Sequence, residues 1–213
     1  MAARVETRGL SLRGPRGWVF REMSLTVPAG GLAAVSGIAG TGRTALLLTL
    51  GGRMRATEGS GTVGGRRLGR DVQRVAALGV IAGVTELDAS LTVREHVSEA
   101  LDLHEGIFGR WRGRDARIRA ALGRAGLDVD PGTLAQELAP DEAQLLGAAL
   151  ALAGGPGLLL LDDVDEGLPA ERQRGLWRRL RTIADSGVTV VATCHDPAPA
   201  QDVAQIIEVE PSR

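Results

Sequence analysis

Gly37-Ile38-Ala39-Gly40-Thr41-Gly42-Arg43-Thr44 follows the apolar run Leu32-Ala33-Ala34-Val35 and leads into a helical pattern from Thr44 to Met54. Strand, glycine turn and helix in that order form the setting a phosphate-binding loop requires. Glycines let backbone amides turn inward around phosphate oxygens, the helix aims its positive end at them, and the Thr44 hydroxyl is placed to meet Mg2+. Arg43 stands where the loop pattern has lysine. An ordinary glycine turn before a helix is the competing reading of this segment.

The surroundings are those of a soluble α/β chain. At about 150 residues per domain, 213 residues give one domain or one with an inserted subdomain. The chain is 44% hydrophobic and 24% charged, which excludes disorder as its main state. A net charge of −1 removes the electrostatic case for a nucleic-acid binder. No uninterrupted apolar stretch reaches the ~18 residues of a membrane helix, because Leu145 to Leu161 is broken at Gly154, Gly155, Pro156 and Gly157. MAARVETRGL has no apolar segment of the secretory kind, and Cys194 is alone, so a cytosolic setting is expected. Lys, Asn and Tyr are absent and all 25 basic residues are Arg, the mark of a GC-rich coding sequence.

Short strand-like runs fill Val5 to Val35, ending at Pro28-Ala29-Gly30-Gly31. Residues 59–69 read as a short strand between turns, and Leu78 to Ile81 as another. From Leu91 to Ala153 helical spacing takes over, as in Val93, Val97, Leu101 and Leu145, Ala149, Leu152. Strand-like Leu158 to Leu161, a helix around Pro169 to Ile183, the run Val188 to Ala192 and a last strand Ile206 to Val209 complete an alternation that predicts a parallel sheet covered by helices.

Two of these runs end in reactive side chains. Leu158-Leu159-Leu160-Leu161 closes on Asp162 and Asp163. A carboxylate at such a tip can hold the Mg2+ of a nucleotide, and the next can orient an attacking water. Val188-Thr189-Val190-Val191-Ala192-Thr193-Cys194 closes on His195, which can donate to a γ-phosphate.

Together, in this order and with a helical block between the first two, these segments resemble the ATP-binding cassette family, the nucleotide-binding subunits of ABC transporters. The resemblance runs from Ser24 to Gly30 through Leu91-Thr92-Val93-Arg94-Glu95 to the final strand. It implies one domain over residues 1–213: an α/β P-loop NTPase core with a mostly parallel sheet flanked by helices, an N-terminal antiparallel β layer, and a helical subdomain at about 86–153. It implies ATP and Mg2+ as ligands, with Gly37, Ile38, Ala39, Gly40, Thr41, Gly42, Arg43, Thr44 and Ala45 around the nucleotide. Thr44 and Asp162 then belong on the metal, Asp163 orients water, and His195 donates to the γ-phosphate. The implied partners are a membrane-spanning transporter subunit and a second nucleotide-binding subunit, the same chain or another.

Several positions depart from the family pattern. Its LSGGQ signature, which caps the γ-phosphate held by the opposing subunit, is matched by Leu138-Ala139-Pro140-Asp141-Glu142. Pro140 has no amide to offer, and two acids at a helix start repel phosphate, so this helix end is expected to cap itself. The Q-loop glutamine is matched by Gly83, the catalytic glutamate by the shorter Asp163, and the aspartate expected after Gly167-Leu168 is replaced by Pro169. The usual adenine-stacking aromatic is missing near Gly14; Trp18 lies close, and core or edge packing is its favoured reading. Arginine is a wide planar fork where lysine is a point charge, so Mg-ATP binding is expected to be weakened.

These departures leave two expectations: a slow ATPase driving transport, or a pseudo-ATPase that senses nucleotide or scaffolds a transporter. A P-loop nucleotide kinase is a weaker alternative, and a cassette of the DNA-repair type lacks room for its long coiled coil. The remaining signals have bland readings. Arg110-Trp111-Arg112-Gly113-Arg114 with Arg117 and Arg119 reads as a solvated helix face. Cys194 reads as a small buried hydrophobe, His96 and His104 as having no metal-spaced companions, and Leu176, Trp177 and Leu180 as core.

Overall fold

The computed structural model describes residues 1–105 and 113–211. Arg110, Trp111 and Arg112 therefore lie outside the described residues. Five strands form a parallel sheet in the order β10 (Gln205–Glu208), β4 (Leu32–Ser36), β9 (Thr189–Cys194), β8 (Leu158–Leu161) and β7 (Ala76–Leu78). A second, antiparallel sheet is built from β1 (Val5–Gly14), β2 (Gly17–Met23), β3 (Thr26–Val27), β5 (Glu58–Val63) and β6 (Arg66–Arg67), with β1 pairing β2, β3 and β5.

The central strands β4, β9 and β8 are buried and largely apolar because both of their faces are covered, whereas the edge strand β10 has exposed Gln205 and Glu208 at its ends. Alternation along each strand divides the side chains between two cores. Ala33, Val35, Leu158, Leu160 and Val191 face the antiparallel sheet and α1 (Arg43–Leu50), together with Phe20, Leu46, Leu47 and Val63. Leu32, Ala34, Leu159, Leu161, Val190 and Ala192 face the other way, into helices α2 (Val93–Glu105), α3 (Arg114–Ala125), α4 (Pro140–Ala153) and α5 (Ala170–Asp185). Leu176, Trp177 and Leu180 are buried there, with Trp177 fully enclosed. The block predicted as helical contains α2, α3 and α4.

Boundaries differ from the sequence reading at three places. α1 ends at Leu50, not Met54, because Gly51 and Gly52 follow and Gly52 takes φ +70°, a left-handed close to the helix. The strand read at 78–81 lies earlier, at Ala76–Leu78. Beyond it Gly79 passes under Leu161, where a Cβ would come within 2.3 Å of that side chain, and Ile81 leaves the ladder to bridge Thr85. Residues 58–67 form two strands of a hairpin, with Gly64 and Gly65 at positive φ in its turn.

Candidate functional site

β9 lies between β4 and β8, with Ser36 paired to Cys194 and Leu161 to Ala192. The three segments that follow these strands therefore leave the sheet side by side at its carboxyl edge, where open α/β sheets bind ligands. They are the glycine turn after β4, Asp162-Asp163 after β8, and His195 after β9.

In the turn, the Thr41 hydroxyl donates to the Ile38 carbonyl at 2.9 Å, and Gly40 and Gly42 take φ +84° and +87°. Gly42 must be glycine for a second reason: a Cβ there would sit 2.4 Å from the Val19 carbonyl, so the turn is pressed against β2. Ile38, Ala39 and Gly40 are exposed. Gly42 occupies the N-cap position of α1, where no side chain caps the helix and no acid lies in the first turn. Its first amides are open to an anion.

The N-terminus of α4 is the opposite case. The Ala139 amide donates to Glu142 Oε2 at 2.9 Å, Pro140 opens the helix, and Asp141 and Glu142 lie in its first turn. Buried Asp141 is paired with Arg172 at 2.7 Å. One helix start in this molecule invites phosphate and the other has satisfied itself.

Around Asp162 the hydrogen bonds form a closed set. Thr44 Oγ1 donates to Asp162 Oδ2 at 2.7 Å. The buried Thr193 hydroxyl donates to Asp162 Oδ1 and accepts from the Asp163 amide, the latter at 2.7 Å. Gln144, on α4, donates to the Asp162 carbonyl at 3.0 Å. Thr44 and Asp162 thus present a hydroxyl and a carboxylate together, the hard oxygen donors that suit Mg2+. Among the described residues no group of three or more His, Cys, Asp or Glu could hold a metal by itself. The remaining ligands of such an ion would have to come from phosphate and water.

Arg43 is buried and its guanidinium bonds outside the glycine turn. Nη1 donates to the Cys194 carbonyl; Nη2 lies 2.8 Å from His195 Nε2 and 2.9 Å from Asp163 Oδ1. Arginine has no acceptor, so His195 Nε2 accepts and its proton lies on Nδ1, 3.4 Å from Asp165 Oδ1. Asp163 adopts φ +41°, a region tolerated by short polar side chains. Burial and the neighbouring Asp162 carboxylate raise the Asp163 pKa, against the opposing pull of Arg43 and His195. Burial pushes the Cys194 thiol up to about 12, so it is an inert apolar residue.

Thus Gly37 to Ala45, Asp162, Asp163 and His195 come to one edge, while Leu138 to Glu142 form a separate helix start. Three residues that the sequence reading did not single out belong to the site. Thr193 orients Asp162 and Asp163; Gln144 reaches from α4 to the β8 tip; and Asp165 accepts from the His195 and Asp196 amides at 2.8 and 3.0 Å. The one available signal was the spacing Asp163-Val164-Asp165, two carboxylates separated by a single residue. Trp18 is half-buried on β2, with the guanidinium carbons of Arg13 and Arg21 each 5.5 Å from its ring centre, which accords with edge packing.

A family model described as ABC transporter matches residues 20–165. The methionine import ATP-binding protein MetN 1 of Burkholderia lata is 31% identical over 218 residues, covering 96% of this chain and 62% of that protein. A probable anion import ATP-binding protein of Haloferax volcanii is 33% identical over 203 residues, covering 88% of this chain and 70% of that protein. The chain therefore spans somewhat under two thirds of the length of its methionine-import relatives. Among solved structures, cbiO1 from Clostridium perfringens, part of the transporter complex cbiONQ, has a TM-score of 0.82 at 16% identity over 97% of this chain and 84% of that one. A dimeric cassette, MJ0796 bound to ADP and Pi, has a TM-score of 0.76 at 20% identity, over 97% of this chain and 94% of that one. At these identities the two structures speak for the fold.

Proposed function

This chain belongs to the ABC transporter family, and from that premise we propose that it is an ATP-binding subunit that binds Mg-ATP, hydrolyses it slowly or not at all, and couples it to a membrane-spanning partner. The observation that carries this reading is the meeting, at one sheet edge, of the uncapped N-terminus of α1 with the Thr44–Asp162 oxygen pair. Amides of residues 37–45 surround the phosphates. Thr44 and Asp162 would hold Mg2+, which when bound supplies positive charge to the phosphate oxygens. Asp163 is the candidate for orienting water; His195, expected from the sequence to donate to the terminal phosphate, accepts from Arg43 through Nε2 and could take that part only once Arg43 lets go and the proton moves to Nε2. The relatives named for methionine and anion import favour an importer. Among the described residues no helix is long and apolar enough to cross a membrane. The relatives named as import ATP-binding proteins favour a reading in which the membrane-spanning part is a partner subunit and this chain works on the cytoplasmic side, as one half of a dimer. We propose that residues 1–213 act as one nucleotide-binding unit, with residues 86–153 as its helical part.

Slow turnover is supported by two features. Arg43 is engaged by His195 and Asp163, and the start of α4 is occupied by its own Glu142 and by Arg172-bound Asp141. The same features favour the second reading, a pseudo-ATPase that binds nucleotide without turnover. Purified protein should bind Mg-ATP and show turnover well below the ~1 s⁻¹ at which ordinary enzymes begin. Turnover above that rate, lost on Asp162→Ala, would refute slow hydrolysis. If binding is measurable and turnover is not, even after the double change Arg43→Lys with Asp163→Glu, the pseudo-ATPase reading is the correct one.

A further inference from the structure

In a loop of this kind the backbone amides serve the α- and β-phosphates, and the basic side chain that follows reaches the β- and γ-phosphates. Here the two parts have been separated. The amide half is intact: the turn keeps its positive-φ glycines, and α1 starts without a competing cap. The cationic half is committed elsewhere, since Arg43 is buried with one nitrogen on the Cys194 carbonyl and the other between His195 Nε2 and Asp163 Oδ1. What a third phosphate would meet is the Asp163 carboxylate, beside an imidazole whose Nε2 is already accepting from Arg43 and has no proton to offer.

We propose that this site is selective for nucleoside diphosphate over triphosphate, with Arg43, Asp163 and His195 as the residues that set the preference. The inference rests on the nucleotide-binding reading above and refines its ligand. A diphosphate needs the amides, the α1 terminus and the Thr44–Asp162 pair, all of which are available without rearrangement. A triphosphate must either bring its outermost charge against Asp163 or pull Arg43 out of a contact set that includes a buried carbonyl, which would then lose its charged donor. The Asp163 carboxylate already takes up the charge of Arg43 at 2.9 Å and follows Asp162 directly in the chain, so a further anion brought beside it meets like charge.

The test is calorimetric titration of the full chain with ADP and with ATP at equal free Mg2+. The wild type should bind ADP more tightly than ATP. Asp163→Asn removes the charge facing the third phosphate and loosens Arg43, and asparagine tolerates the positive φ at this position. It should improve ATP relative to ADP by about tenfold, or about 1.4 kcal/mol. His195→Ala, which removes one of the two partners of Arg43 Nη2, should move the ratio the same way, and it carries the test if Asp163→Asn does not fold. ATP binding by the wild type as tight as that of ADP, or tighter, overturns the proposal, as does a ratio that neither variant moves. Failure of the wild type to bind either nucleotide overturns the nucleotide reading itself, and the selectivity with it.

Discussion

At the scale of single residues, Thr193 ties the two aspartates of the site together. Its hydroxyl is fully enclosed, donates to Asp162, and accepts the amide of Asp163, so it fixes both carboxylates at the tip of β8. Thr193→Val keeps the shape and removes both bonds, leaving a buried amide and a buried carboxylate oxygen short of a partner. The expected cost is about 1–3 kcal/mol in unfolding free energy, read by urea titration, whereas Thr193→Ser should cost less because the hydroxyl is retained. Residue types at the sheet edge were legible from the sequence: a glycine turn, two aspartates and a histidine, each behind an apolar run. The direction of Arg43 was not. Its partners stand about 120 and 150 positions further along the chain, and only the pairing of β4 with β9 and of β9 with β8 brings them within reach.

Among the elements, α2 and α4 both begin with a glutamate that accepts the N-cap amide, but only α2 has a hydroxyl to return the bond. Thr92 donates from both its amide and its hydroxyl to Glu95 Oε2 at 2.7 Å, and the Glu95 amide returns to the hydroxyl at 3.2 Å, a complete capping box. These bonds lower the Glu95 pKa, the side-chain bond from Thr92 contributing most. A carboxylate with a depressed folded-state pKa stabilises the fold above its ordinary value of 4.5, and that contribution disappears as pH falls through the lower folded value. Wild type and Glu95→Gln should therefore differ most in unfolding free energy at neutral pH and converge in acid, as followed by denaturant titration across that range.

The elements also show where sequence reading stops. β8 was legible residue for residue, since four leucines in a row bounded by glycine and aspartate fit a strand with both faces covered. β7 was not, because Ala76, Ala77 and Leu78 carry too little apolar signal, and the run continues through Gly79 into residues that leave the sheet. The start of α4 was legible for a chemical reason: proline followed by two acids belongs at a helix start and offers a phosphate nothing.

For the molecule as a whole, the membrane-spanning partner proposed above needs a surface to dock on. A groove of about 420 Å³ runs between β7 and the helices α2 and α4, lined in part by Val75, Leu78, Leu87 and Leu150. On its rim Leu103 is 80% exposed, one of five large apolar side chains exposed among the described residues. An apolar side chain beside an apolar groove suits burial against another protein. Leu103→Glu should leave the unfolding free energy within about 0.5 kcal/mol of wild type, as for other surface changes. In cells it should shift the tagged chain from the membrane pellet to the supernatant. Retention in the pellet would place the contact elsewhere.

β4, which opens the phosphate turn, is flanked by β9 and β10, both contributed by residues 189–208. Until the ribosome has delivered those residues, β4 has neither neighbour, and its amides and carbonyls have no ladder to join. The glycine turn is then a tether without an anchor. Ligand competence therefore waits for residues 189–208 and arrives all at once, and a chain stalled or clipped before them presents a bare hydrophobic ribbon for chaperones and proteases to find.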